Sequence, residues 1–242
     1  MSRPPLTTAL LDVGGTLWPD GWPWLPEDHD IRSARLRRAL PGLRPDDAAS
    51  LLRALDSSAA RLAGSLEQDL DSYVAAPLRH HGLDATAEQV AATVDAMCLP
   101  ARGLVRLFPG AAELLRAVRR AGLGCVIVSN TYWRTGAGMR RDFEDLGVAG
   151  EIDAIVSSAD GGFRKPHPAM FEAAMAAAAA PPAACAMVGN SEPNDMAPAR
   201  RLGMRTIRVA IEEPKPTASE ADAVTDSLAE AAGVLRAWAG TP

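Results

Sequence analysis

Past residue 104 the chain repeats one pattern: an apolar run of five or six residues, a polar or glycine-rich break, then a helical stretch. The runs are Gly124–Val128, Ile152–Val156, Ala184–Val188 and Arg205–Ala210, with a shorter Ala223-Val224 near the end. One helix opens at Pro109-Gly110 and passes through Leu114, Leu115 and Val118 to a stop at Gly122. Others are expected from about Gly138 to Leu146, from Pro168 to Ala180, from Pro198 to Leu202, and through Leu228, Val234 and Leu235. Strands that alternate with helices require crossover connections, so this half predicts a parallel sheet covered by helices on both faces.

A first strand lies far upstream. Ala9-Leu10-Leu11 is apolar and too short to be a helix by itself, and it runs into Asp12-Val13-Gly14-Gly15-Thr16-Leu17. The two glycines allow a sharp turn and a close approach of backbone N–H groups to a ligand. Asp12 therefore falls at the carboxyl end of a strand, where parallel sheets present functional groups. There it is either a nucleophile that forms an acyl intermediate or simply the cap of a turn.

Between residues 27 and 100 the texture changes. Ile31, Ala34, Leu36 and Leu40 trace one amphipathic helix, and Pro45-Asp46-Asp47 opens another through Leu51, Leu52, Leu55 and Leu62. Leu66 to His80 reads as a third with a possible kink at Pro77. Asp84 to Glu88 offers caps for a fourth through Val90, Val94 and Met97. The adjacent His80 and His81 point to different faces and make a poor metal pair. Ahead of this insert, Trp18-Pro19-Asp20-Gly21-Trp22-Pro23-Trp24-Leu25-Pro26 holds three of the five tryptophans of the chain. Its prolines exclude a helix interior or a central strand. The loop either walls a pocket for an apolar group, with Trp22 and Trp24 as substrate contacts, or packs as a hinge.

The net charge of −5 and the lack of a basic run argue against a nucleic-acid surface. No apolar stretch is long enough for a membrane span, and the residues ahead of Leu6 are too few and too proline-rich for a signal peptide. Cys98, Cys125 and Cys185 are widely spaced, as expected of reduced thiols in a cytoplasmic protein. Oligomeric state is not legible.

Four strand ends carry polar groups: Asp12, Ser129-Asn130, Lys165, and the stretch Asn190 to Asp195. In a parallel sheet these ends meet along one edge. A carboxylate, a hydroxyl, an ammonium and an acid–amide cluster suit phosphoryl transfer to a carboxylate, with a hard cation offsetting the negative charge.

Asp12-Val13-Gly14-Gly15-Thr16-Leu17, Val126-Ile127-Val128-Ser129-Asn130, Lys165-Pro166-His167-Pro168 and Gly189-Asn190-Ser191-Glu192-Pro193-Asn194-Asp195 resemble, in order, the four motifs of the haloacid dehalogenase-like hydrolases. Phe108-Pro109-Gly110 and Gly203-Met204-Arg205 are similar to flanking stretches of the same superfamily, and the resemblance runs from residue 6 to about 236. It implies a Rossmann-like doubly wound α/β core, residues 1–17 plus 105–242, with an inserted α-helical cap, residues 18–104. It implies Asp12 as nucleophile, Ser129 and the backbone at Asn130 as holders of the transferred group, and Lys165 as the neutralising cation. Mg²⁺ would be held by Asp12, the carbonyl of Gly14, Asn190 and Asp195.

Two positions depart from the phosphatases of that superfamily. Gly14 stands where they carry an Asp that moves a proton, a role typically worth about 10²–10⁴-fold in rate. Asn190 stands where they carry a metal-binding acid, so affinity should fall unless Asp20 or Glu192 reaches in. The leading expectation is a Mg²⁺-dependent phosphatase of a small phosphorylated metabolite, with His29 or Asp20 supplying the proton. The alternatives are a phospho-ligand-binding protein without turnover, and a dehalogenase-like hydrolase. The last would usually carry Tyr where Gly14 stands.

Overall fold

The computed structural model describes residues 3–21, 25–61, 67, 71–101, 103–216 and 218–240. Its centre is a six-stranded parallel sheet: β1 (Thr8–Leu11), β2 (Gly124–Ser129), β3 (Ala154–Ser157), β4 (Cys185–Gly189), β5 (Arg205–Val209) and β6 (Ala223–Thr225), in the spatial order β3-β2-β1-β4-β5-β6. The chain winds outward from β1 to β3 on one side and from β4 to β6 on the other. The winding reverses between β1 and β4, so their carboxyl ends flank the crevice in which open α/β sheets bind ligands.

Register aligns the functional ends. Leu11 pairs with Ile127 on one side and Val188 on the other, so Asp12, the Val128-Ser129 end of β2 and the Gly189-Asn190 end of β4 emerge together. The central strands β1, β2 and β4 are buried on both faces. Ala9, Leu11, Ile127 and Val188 join a core with Leu114 and Leu115 of α5 (Ala111–Arg120) and Leu228 and Leu235 of α10 (Leu228–Ala239). Leu10, Val126, Val128 and Met187 face the other way, onto Met170 and Phe171 of α8 (Pro168–Ala178) and Ala199 of α9 (Ala197–Arg201). Alternation of side chains along a strand sends neighbours to opposite layers. Each fully buried Leu, Ile or Val here contributes about 1.5–3 kcal/mol. The helices α6 (Gly136–Asp145) and α7 (Ser158–Gly161) lie beside β3.

Between β1 and α5 the chain forms α1 (Asp28–Ala39), α2 (Pro45–Arg61), α3 (Ala76–His80) and α4 (Ala87–Met97), with a wide π-type turn over Asp71–Ala75. These helices have their own apolar centre of Leu36, Leu40, Leu51, Leu52, Leu55, Tyr73, Leu78, Val94 and Met97. Buried Arg32 ties α1 to α2 through two hydrogen bonds to Asp56, 3.2 and 2.7 Å. The cap expected near α4 closes as a reciprocal pair: Gln89 N donates to Thr86 Oγ1 at 3.2 Å, and Thr86 N to Gln89 Oε1 at 3.3 Å.

Several expected boundaries shift. Pro77 lies where the π-type turn over Asp71–Ala75 passes without a break into α3, so the expected site of a kink is the site where the helical type changes. α8 stops at Ala178, two residues short of expectation, because Ala179 turns left-handed at φ +49° ahead of Pro181. β3 begins at Ala154 rather than Ile152, since a 3₁₀ turn occupies Ala149–Glu151. Among the described residues, no helix is long and apolar enough to cross a membrane.

Candidate active site

Asp12 follows β1 directly, and its N–H still bonds the carbonyl of Val188 at 2.9 Å, which holds it on the sheet edge. The chain then turns within one step: the N–H groups of Thr16 and Leu17 both reach back to the carbonyl of Val13, at 3.1 and 2.8 Å. Thr16 Oγ1, brought round by this turn, donates to Asp12 Oδ2 at 3.1 Å. Gly15 is required twice over. Its φ is +70°, and a Cβ there would stand 2.1 Å from the amide nitrogen of Asn190.

Lys165 lies on the loop ahead of α8. Its Nζ donates to Asp12 Oδ1 at 2.6 Å and to Asp195 Oδ1 at 2.7 Å. Asp195 belongs to a π-type turn over Glu192–Met196, and its Oδ2 accepts from the N–H of Ser191 at 3.1 Å. A side chain at Gly189 would collide with it, the nearest approach being 2.4 Å. The three charged groups are 6%, 4% and 1% exposed for Asp12, Lys165 and Asp195, so water screens them little. Burial pushes the Asp195 carboxyl up to about 6, and the negative charge of Asp12 adds to this against the pull of Lys165. For Lys165 burial acts downward, but the two carboxylates outweigh it and the ammonium is held above its ordinary value.

Ser129 ends β2, is buried, and among the described residues its side chain makes no hydrogen bond. The Asn130 side chain has a use that sequence reasoning missed. Its Nδ2 donates to the carbonyl of Lys165 at 2.9 Å, and its Oδ1 accepts from the N–H of Lys165 at 2.7 Å. This two-point clasp fixes the loop that delivers the ammonium. Thr16 was missed as well; its only sequence signal is its place at the end of the glycine turn.

Gly14 has no side chain, yet the space beside it is taken. A Cβ at Gly14 would lie 2.7 Å from Asp20 Oδ1. The loop returns that far because Gly15 N bonds the carbonyl of Trp18 at 2.8 Å. His29, the other residue considered for proton transfer, is exposed on α1 and sits 3.7 Å from Asp30. Glu192 does not reach the site. Its carboxylate accepts from Ser219 Oγ at 2.7 Å, from Glu220 N at 2.9 Å and from Arg208 at 3.1 Å. Among the described residues, no three His, Cys, Asp or Glu side chains gather closely enough to hold a metal. Trp22 and Trp24 lie outside the described residues.

A cavity of about 360 Å³ opens beside this edge, lined by Gly14, Asp20, Ser129 and Asn130 together with Trp18, Met97, Cys98, Leu99, Tyr132 and Trp133. Trp133 stacks on Tyr73 of the helical insert at 4.5 Å between ring centroids, and Tyr73 Oη donates to the carbonyl of Tyr132 at 2.6 Å. Trp18 lies against Phe143 at 5.0 Å. It thus does both jobs considered for the tryptophan loop, packing on the core and lining a pocket.

Comparison with known proteins agrees with the motif order. A sequence model described as haloacid dehalogenase-like hydrolase matches residues 6–203. The chain is 33% identical over 109 residues to haloacid dehalogenase-like hydrolase domain-containing protein 3 of Bos taurus, covering 45% of this chain and 42% of that protein. It is 30% identical over 103 residues to a phosphoserine phosphatase of Thermus thermophilus, covering 43% of this chain and 40% of that one. The chain thus spans less than half the length of these curated relatives. Among solved structures, a 2-haloacid dehalogenase of Pseudomonas syringae superposes with a TM-score of 0.62 at 21% identity, over 96% of this chain and 99% of that one. That likeness is one of fold. The family match, spanning the glycine turn behind Asp12 through the fourth motif, makes this chain a member of the haloacid dehalogenase-like hydrolases.

Proposed function

We propose that the protein is a phosphatase that transfers the phosphoryl group of a small phosphorylated metabolite to Asp12 and then to water. The observation that carries this reading is the Lys165 ammonium held between two buried carboxylates, Asp12 and Asp195, with Ser129 at the end of the neighbouring strand and its hydroxyl making no hydrogen bond among the described residues. A carboxylate oxygen of Asp12 forms a bond to phosphorus while the ester P–O bond breaks, and the leaving oxygen takes a proton. Water then attacks phosphorus, gives up a proton, and releases phosphate with Asp12 restored. Lys165 and Ser129 hold the nonbridging oxygens, whose charge develops in a buried setting where such contacts are worth most. Asp20 carries the proton both ways: it lines the cavity and its carboxylate occupies the space beside Gly14.

The donor set fits a hard divalent cation. Asp12 and Asp195 already converge on one cationic point, the ammonium of Lys165. Mg²⁺ is commonly held by one or two carboxylates plus substrate oxygens and water. Asp12, Asp195, Asn190 and the Gly14 carbonyl would hold it, and it would offset the repulsion between carboxylate and phosphate. With Asn190 supplying no charge, the affinity expected is lower than that of a three-acid site. The helices over residues 28–97 act as the cap that walls the cavity from water. The buried free thiols of Cys98, Cys125 and Cys185 favour a reducing compartment such as the cytoplasm.

The test is a panel of phosphorylated metabolites with and without Mg²⁺, run beside Asp12→Asn. Phosphate release that requires both Asp12 and Mg²⁺ supports the proposal. A second reading, ligand binding without turnover, draws on the missing side chain at Gly14 and the neutral Asn190. Thermal stabilisation by phosphorylated ligands with no release of phosphate from any of them would favour it.

A further inference from the structure

We infer that the leaving group of the substrate is uncharged and carries an aromatic or bulky aliphatic group, and that phosphoesters with a carboxylate on the leaving group are excluded. This rests on the phosphatase reading and adds the substrate class. Besides Ser129 and Asn130, the cavity is lined by Trp18, Met97, Leu99, Tyr132, Trp133 and Met139. The two tryptophans are only 9% and 8% exposed, each showing the cavity a small part of a side chain packed elsewhere, on Phe143 and on Tyr73.

Charge decides against an anionic leaving group. Among the described residues lining the cavity, Arg134 is the one basic side chain. Its guanidinium is already engaged, 2.7 Å from the buried carboxylate of Asp142 and donating to the carbonyl of Leu99. Asp142 is held in place in turn by the N–H of Ala101, at 2.9 Å. The acidic side chain lining the cavity, Asp20, forms no ion pair among the described residues and bonds the N–H of Gly21 at 2.9 Å. Among the described residues lining the cavity, then, the cation is neutralised and the anion is not, and a leaving-group carboxylate meets that balance. It would lose hydration without gaining a partner. An apolar ring loses little hydration and meets surfaces of its own kind.

The experiment compares 2-phenylethyl phosphate with phosphoserine and phosphoglycolate at saturating Mg²⁺. All three release a primary alkoxide, so the cavity rather than leaving-group chemistry governs the ranking. The inference expects kcat/KM for the phenylethyl ester to exceed both carboxylated esters by at least tenfold, mostly through KM. Tyr132→Ala should narrow that ratio by lowering the phenylethyl value. Asp20→Asn, which removes the proposed proton carrier, is read by phosphonate binding alone, and should narrow the preference for 2-phenylethylphosphonate over 3-phosphonopropionate several-fold through relief of repulsion. Equal or better turnover of a carboxylated ester overturns the inference, and so does a phosphonate preference that Asp20→Asn leaves unmoved. Turnover of none of the three, with other phosphomonoesters also intact, breaks the phosphatase reading instead. Binding of the non-hydrolysable 2-phenylethylphosphonate, read by quenching of tryptophan fluorescence, then decides the cavity's preference against 3-phosphonopropionate. Tighter binding of the latter overturns it.

Discussion

At the sheet edge, one ammonium lies 2.6 and 2.7 Å from two carboxylates, and all three groups are buried. In the cavity beside that edge, Met97, Leu99, Tyr132 and Trp133 present apolar surface that belongs to the insert and to the loop docked on it. The first region depends on charge balance at fixed distances; the second depends on shape and apolar area. Loss of one member of a buried ion cluster leaves an uncompensated charge, whereas trimming an apolar wall costs in proportion to the surface lost. The two regions also come from different parts of the chain, so chemistry and selection can vary separately.

The largest effect should follow Asp12→Asn, which keeps the size of the side chain and removes the nucleophile. Phosphate release is expected to fall on the order of 10⁴-fold or more, with folding retained by circular dichroism. Residual activity within tenfold of wild type would break the reading of the sheet edge as the chemical region. Next comes Lys165→Met, which strands Asp12 and Asp195 facing each other. We expect turnover to vanish and the urea midpoint to drop by the equivalent of about 3–5 kcal/mol. A fully stable variant would mean the cluster carries no strain when its cation is removed.

Gly14→Asp probes the border between the regions. A Cβ at that position lies 2.7 Å from Asp20 Oδ1, so the new carboxylate displaces the old one and repels it. Turnover is expected to fall by about tenfold if Asp20 moves the proton. A gain in rate would remove Asp20 from that role and make the empty position at Gly14 the limit on the natural protein. The smallest effect belongs to the apolar region. Tyr73→Phe deletes the 2.6 Å hydrogen bond to the Tyr132 carbonyl but keeps the stack on Trp133. It should cost about 1 kcal/mol in stability and leave kcat within a factor of two. A large drop in kcat would show that the wall also orders the sheet edge.

Much of the fold was legible because the strands are short apolar runs bounded by Gly, Pro or polar breaks. Leu10 and Leu11 need no partner to be recognised as interior, and Gly122, Gly147 and Gly203 stop helices by local backbone chemistry. Pro77 was less legible. Sequence shows that a proline interrupts the ladder of helical hydrogen bonds, but not that the backbone just ahead of it widens to a π-type turn over Asp71–Ala75. Tryptophans were ambiguous for a similar reason: Trp18 is apolar enough for the core and large enough to reach the cavity, and it does both.

By itself the sequence determined the order of strands and helices, the glycine turn behind Asp12, and the residue types brought to one sheet edge. These follow from short-range physics: periodicity, turn chemistry and the direction of parallel strands. Only the tertiary structure decided that Lys165, 153 positions from Asp12, bridges it to Asp195. It alone put the Asp20 carboxylate beside Gly14, spent the charge of Arg134 on Asp142, and clasped Lys165 with Asn130. Each of these depends on distances of a few ångströms between residues whose separation along the chain says nothing about them. Charge balance in a buried site is set by such distances.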